Sequence, residues 1–183
     1  MIIIYLILSV CLFVASIYDV ITKKIPNWIS LTIIVSGLSW NIFSAEGLGL
    51  RDSGSGLIVG LLLMLPGYIF GSMGAGDAKL MAAIGSVVGF TKVLDVVLYS
   101  YMVMFVVAII FIIARGGLFK LLFRYKALIY GLFIGTWSYQ KPDNSEAAGY
   151  RLPLAPAITL ATFFVLYHPQ ICNLEYMANL CHF

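Results

Sequence analysis

Two aspartates in this 183-residue chain stand where apolar stretches meet polar ones. Asp19 closes the first hydrophobic run, and Asp77 opens another just after the glycine-rich turn Gly71-Ser72-Met73-Gly74-Ala75-Gly76. Acids at the mouth of a membrane helix are expensive and usually have a task. Two carboxylates brought together can activate water: one takes its proton while the other, protonated, polarises a carbonyl. Like charges in close contact resist joint ionisation, so such a pair shares one proton, and its titration belongs to the pair. The chemistry needs neither a metal nor a covalent intermediate. Taken singly the signals are weak. An aspartate at a helix end is more often a cap or an interfacial anchor, and glycine-rich turns are common.

Composition says where such a pair would work. Hydrophobic residues make up 62% of the chain and charged ones 10%, and the mean hydropathy is +1.02. A soluble domain averages about half apolar and a quarter charged. The chain reads as an all-α polytopic membrane protein: a single transmembrane domain over residues 1–183, embedded in the lipid bilayer. A net charge of +3 is too small to suggest nucleic acid. Cys11 lies within an apolar run, and Cys172 and Cys181 flank the tail. No CxxC and no histidine at zinc spacing accompanies them, so neither a metal nor another cofactor is expected. Met1 leads directly into apolar residues, which reads as a retained first helix rather than a signal peptide.

Since about twenty apolar residues span a bilayer, the sequence divides into about six membrane helices, near 2–18, 28–45, 55–70, 77–89, 96–114 and 152–167. Asp19 and Lys23-Lys24-Ile25-Pro26-Asn27 are expected to stop the first. Pro26 pushes Ile25 away from helix, and Asn27 is placed to cap the second. Pro66 and Gly67 should kink the third near its end. The fourth is too short to span comfortably alone unless it tilts little or packs inside the bundle, and a loop over residues 90–95 should separate it from the fifth. Residues 115–151 form a basic cytoplasmic segment in which Lys120, Arg124 and Lys126 sit among apolar residues. That pattern reads as a helix lying in the interface between helices five and six. A seventh span from Ala127 to Trp137 is the alternative.

Charge sets the orientation. The loops after helices one, three and five carry Lys23, Lys24, Lys79, Arg115, Lys120, Arg124, Lys126, Lys141 and Arg151, and the other side only Arg51 and Lys92. By the positive-inside rule both termini lie outside the cytoplasm, and Asp19 and Asp77 share the cytoplasmic face. A bridge between Cys172 and Cys181 could then survive in an oxidising exterior.

The neighbours of Asp77 have mechanical readings. Gly74 and Gly76 let another chain approach closely, which suits an extended peptide lying beside the acid. Lys79 either counters the acid's charge or anchors the helix at the headgroups. Glu46, Asp52, Asp95, Asp143, Glu146 and Glu175 fall in expected loops and read as solvated. His168 and His182 fall on the opposite side from the acids. Ser16 and Ser72 lie near the right face, but no histidine or well-placed lysine makes a serine-protease pair with either.

These residues resemble a known family. Asp19 and, beyond Val20–Lys24, Ile25-Pro26-Asn27 resemble the first motif of the type IV prepilin peptidases. Gly74-Ala75-Gly76-Asp77-Ala78-Lys79 is similar to their GxGD motif, and Leu152-Pro153-Leu154-Ala155-Pro156-Ala157-Ile158 to their proline-containing last-helix motif. The resemblance implies a GxGD intramembrane aspartyl protease of the inner (plasma) membrane, with Asp19 and Asp77 catalytic. Its partner would be the substrate helix of a prepilin or pseudopilin, whose basic leader is cut at the cytoplasmic face.

Larger members carry a cytoplasmic domain with paired CxxC motifs and also N-methylate the new terminus. The short connection between helices one and two has no room for that domain, so the chain looks more like the small peptidase-only members that serve tight-adherence pili. Archaeal preflagellin peptidases share this chemistry. Two rivals stand beside this reading: a small proton- or cation-coupled transporter using both acids as a relay, and a non-catalytic pilus-assembly subunit whose acids bind a basic leader.

Overall fold

The computed structural model describes residues 2–44, 47–69, 73–114 and 153–167. Among these residues are five helices and no strand: α1 Ile2–Thr22, α2 Asn27–Phe43, α3 Leu50–Ile69, α4 Ala75–Ala114 and α5 Ala155–Tyr167. The helices α1, α3 and α4 are long and apolar enough to cross a membrane, and the described residues are those of an all-helical membrane protein. Described residues up to Met104, together with 153–167, belong to one compact unit; the end of α4 from Phe105 belongs to a second. The basic interval 115–151, with its expected interfacial helix or seventh span, lies outside the described residues, as do Cys172 and Cys181.

The first half of α4 is the centre of the first unit. Every residue from Leu80 to Gly89 is buried, as a stretch too short to span on its own requires. Lipid tails are as apolar as leucine, so helices in a bilayer associate through close packing rather than water exclusion, and small residues at the contacts permit it. A Cβ added to Gly56 of α3 would collide with the Gly85 carbonyl, and one added to Gly85 would collide with the Gly56 carbonyl. One turn on, a Cβ at Gly60 would stand 2.7 Å from the Met81 carbonyl oxygen, so α3 runs antiparallel to α4. On α2, a Cβ at Gly37 would come within 2.7 Å of the Val87 side chain. Asn27 meets Lys79 at the other end of α2, so α2 runs parallel to this half of α4. The helix α1 packs against both α2 and α5.

The sequence reading expects a loop over 90–95, but helix resumes at once after a break at Gly89, whose φ of 82° and ψ of −179° are not helical. Only glycine takes such a φ without strain. In an unbroken helix the Phe90 N–H would bond the Ser86 carbonyl, and the break separates that pair. Inside a bilayer an unsatisfied backbone group costs several kcal/mol, and side chains from neighbouring helices take both halves. The Phe90 N–H donates to Asp52 Oδ1 at 3.3 Å. The Ser86 carbonyl accepts from Asn41 Nδ2 at 2.9 Å and also from the Ser53 hydroxyl. Asp52 is therefore no solvated loop charge: it lies half-buried in the first turn of α3 and caps the second half of α4. Asp95, also read as a loop acid, lies half-buried within α4.

Other boundaries shift for local reasons. The first helix continues past Asp19 to Thr22 and ends where Lys23 adopts φ 53°, because an acid whose carboxylate finds a partner elsewhere need not interrupt a helix. Pro26, not Asn27, occupies the cap position of α2, with no side-chain cap. The third helix starts at Leu50, five residues before the expected 55, drawn back by Asp52 at its N-terminus. Pro66 lies inside it.

The glycine contacts give a stability test. Gly85→Val forces two backbones apart and should lower the stability of the detergent-purified protein by about 1–3 kcal/mol, read as a fall in thermal midpoint. Gly54→Ala, whose Cβ would meet nothing within 4 Å, should leave the midpoint unchanged or raised.

Candidate active site

The ends of α1 and α3 and the starts of α2, α4 and α5 meet at one face of the first unit, and both aspartates are there. Asp19, three residues before the end of α1, and Asp77, in the first turn of α4, are each only 6% exposed.

Asp77 is held by its own helix start. The chain enters α4 through Gly74, whose carbonyl accepts from the Asp77 N–H at 3.2 Å. In return the Gly74 N–H donates to Asp77 Oδ2 at 2.9 Å. This is the reciprocal geometry of a capping box, in which an acid in the first turn reaches back to the cap residue. The bland reading of Asp77 as a cap thus accounts for one oxygen. It does not account for the other: Oδ1 is buried with no hydrogen-bond partner among the described residues. Such a group costs free energy unless something completes it.

Asp19 is held from across the bundle. Its Oδ2 accepts the Ala155 N–H at 2.9 Å, from the first residue of α5. Helix N-termini leave N–H groups unpaired and favour negative charge. The flanking prolines sharpen this, because neither Pro153 nor Pro156 has an N–H and Ala155 lies between them. Each aspartate therefore has one oxygen tied to a backbone N–H, and Asp19 lies near enough for its charge to be felt at Asp77. Two acids 58 positions apart in sequence share one buried end of the molecule.

The remaining expected site residues line the same face. Gly76 lies under Ile25, where a Cβ would stand 3.1 Å from the Ile25 Cβ, so the glycine lets the α1–α2 connection close over the start of α4. Pro26 starts α2 beside it. The Lys79 ammonium donates to Asn27 Oδ1 at 3.1 Å rather than pairing with Asp77. Asn27 thus contributes its side chain to α4, in place of the cap expected of it. Ser72 lies outside the described residues, and Ser16 faces α5 through a bond to Thr159.

Sequence reasoning missed the groups that hold the acids. The Gly74 and Ala155 N–H groups are backbone and carry no residue signature. The proline pair around Ala155 was the available signal, noticed only as part of a motif.

A model of the type IV leader peptidase family matches residues 6–113. The chain belongs to that family. The match covers more than half of the sequence and takes in Asp19, the Ile25-Pro26-Asn27 connection, the glycine turn and Asp77. No curated protein and no solved structure matches the chain. Membership supports a peptidase, a hydrolase of peptide bonds, in a membrane setting.

The Lys79–Asn27 pair is exposed, and exposed polar pairs contribute little. Replacing Lys79 with Met should cost the protein less than about 1 kcal/mol of stability. Its peptidase activity should fall far less than on loss of either acid, as a gel-based cleavage assay would show.

Proposed function

We propose that this leader peptidase is an intramembrane aspartyl endopeptidase in which Asp19 and Asp77 activate water between them. The observation that carries this reading is the state of Asp77: one oxygen spent as a cap, the other buried, unpartnered and within range of the Asp19 charge. A water held between the carboxylates loses its proton to the ionised one, and its oxygen attacks the scissile carbonyl carbon. The protonated acid donates to the carbonyl oxygen as charge develops there. Collapse of the tetrahedral species breaks the C–N bond, and a proton passes to the leaving amine. The dyad returns to its singly protonated state.

The substrate in this proposal is a prepilin or pseudopilin, a small protein with a basic leader and an apolar helix. A groove of about 580 Å³ supports the choice of an apolar substrate. Leu31 and Ile34 of α2 and Leu57 and Leu61 of α3 form its apolar wall, and the polar Asn27, Ser30 and Lys79 lie with Trp28 and Ala82 along the rest of it. It descends from the level of Lys79, two residues from Asp77, along an almost wholly apolar wall. A membrane-embedded helix laid there brings its end to the acids. The exposed Gly74 carries no side chain beside Asp77 and leaves space for that end to unwind, and irregular backbone at membrane depth is tolerated where protein surrounds it. The bias of lysine and arginine supports placing this face toward the cytoplasm, with the protein in the inner membrane and both termini outside.

The test is co-expression with a prepilin and a gel assay for loss of the leader. Asp19→Asn and Asp77→Asn should each insert and accumulate normally yet abolish the size shift. Cleavage near the wild-type rate by either variant removes the dyad. A transporter predicts no shift from the wild type, and an assembly subunit predicts binding without cleavage. The groove has its own test: Leu31→Trp, at a position 61% exposed, should raise KM several-fold and leave kcat nearly unchanged.

A further inference from the structure

We propose that Thr159, acting with Ser16, is a positioning residue that keeps Asp19 in register with the Ala155 N–H. The inference rests on the reading of Asp19 and Asp77 as the catalytic pair and extends it to α5, which lies beyond the family match.

The helices α1 and α5 run antiparallel and are joined by two polar rungs. The upper rung is the Ala155 N–H donating to Asp19 Oδ2 at 2.9 Å. About one turn deeper, the hydroxyls of Ser16 and Thr159 stand 2.7 Å apart. Each hydroxyl also reaches a carbonyl of its own helix, Ser16 to Leu12 at 2.9 Å and Thr159 to Ala155 at 2.8 Å. The Thr159 hydroxyl also lies 3.4 Å from the Leu12 carbonyl of α1. A hydroxyl has one proton and two lone pairs, and at 2.7 Å the two oxygens are joined by a proton of one or the other; removing either hydroxyl removes that direct bond between the helices. Thr159 is buried, and the small, buried Ala155 and Ala157 beside it bring α5 close to its neighbours.

The register matters because the upper rung uses one particular donor. A slide of α5 in one direction brings Pro156, which has no N–H, in place of Ala155, and in the other brings Leu154, which precedes the helix and presents its N–H from a different position. The carboxylate would then turn, and misplacement of a reacting group by about 1 Å can cost about a hundredfold in rate. A hydroxyl pair at hydrogen-bonding distance adds a directional restraint along the helix axis to the restraint that packing supplies. Thr159 touches neither the other acid nor the face where a substrate would lie. Its effect reaches the chemistry through Asp19.

The measurement is steady-state cleavage of a prepilin by the full-length protein in detergent or vesicles. Thr159→Val keeps the shape of the side chain and deletes its hydroxyl. It should lower kcat by about tenfold to a hundredfold with KM unchanged, and Thr159→Ser should restore most of the loss. Should the valine variant fail to accumulate, Ser16→Ala opens the same rung from the half-buried α1 side and should give the same kcat-selective loss. Wild-type kcat in either variant overturns the inference, as does a loss confined to KM or one that serine does not restore. Asp19→Asn in the same assay separates the two claims. If it is inactive while Thr159→Val is normal, only the positioning role fails; if it is active, the dyad itself fails.

Discussion

In hydrocarbon no water completes a backbone group, so every break in a helix must be answered by a side chain or by another helix. This constraint organises the described part of the molecule. The break at Gly89 parts Phe90 from Ser86, and Asp52, Asn41 and Ser53 move into the vacated roles. Buried polar residues in α2 and α3 that would otherwise weaken a membrane bundle are thereby explained by one glycine in α4. The same rule operates at the other end of that segment, where Gly74 and Asp77 satisfy each other as the chain turns into the helix.

Against this background of satisfied groups, the unpartnered Oδ1 of Asp77 is the exception among the described residues. Native structures pair nearly all buried polar atoms, and an unpaired one calls for an explanation. A reaction that places water and a peptide carbonyl at that oxygen supplies it. The arrangement also explains how two acids tolerate burial in the same unit. One oxygen of each is tied to a backbone N–H near a helix N-terminus, where negative charge is favoured, and the pair can relieve its repulsion by sharing a proton.

Close approach of helices makes the arrangement rigid enough to matter. Gly56 against Gly85, Gly60 against Met81 and Gly37 against Val87 hold the central segment between α2 and α3. The start of α4 is consequently fixed relative to α2, and the α1–α2 connection closes over Gly76. From the opposite side α5 grips α1 through Asp19 and Ser16. The acids are supported by two separate packing systems, one built on glycine and the other on hydroxyl and carboxylate groups.

The sequence by itself determined the membrane character, the helical class, the two aspartates and the glycine turn that carries one of them. Those follow from local quantities: run length, hydropathy, and the cost of placing an acid or a glycine at a helix end. The family motifs were legible for the same reason, since they are contiguous. It left open whether the short segment over 77–89 tilts little or packs inside the bundle, and burial of Leu80 to Gly89 decides for the latter. It misread Asp52, Asp95 and Asn27 and placed a loop over 90–95, because a helix can resume within one residue when a distant side chain caps it. Only the tertiary structure decided which donors hold the acids. The Gly74 and Ala155 N–H groups are identical in kind to every other backbone amide, and what singles them out is where the folded chain places them.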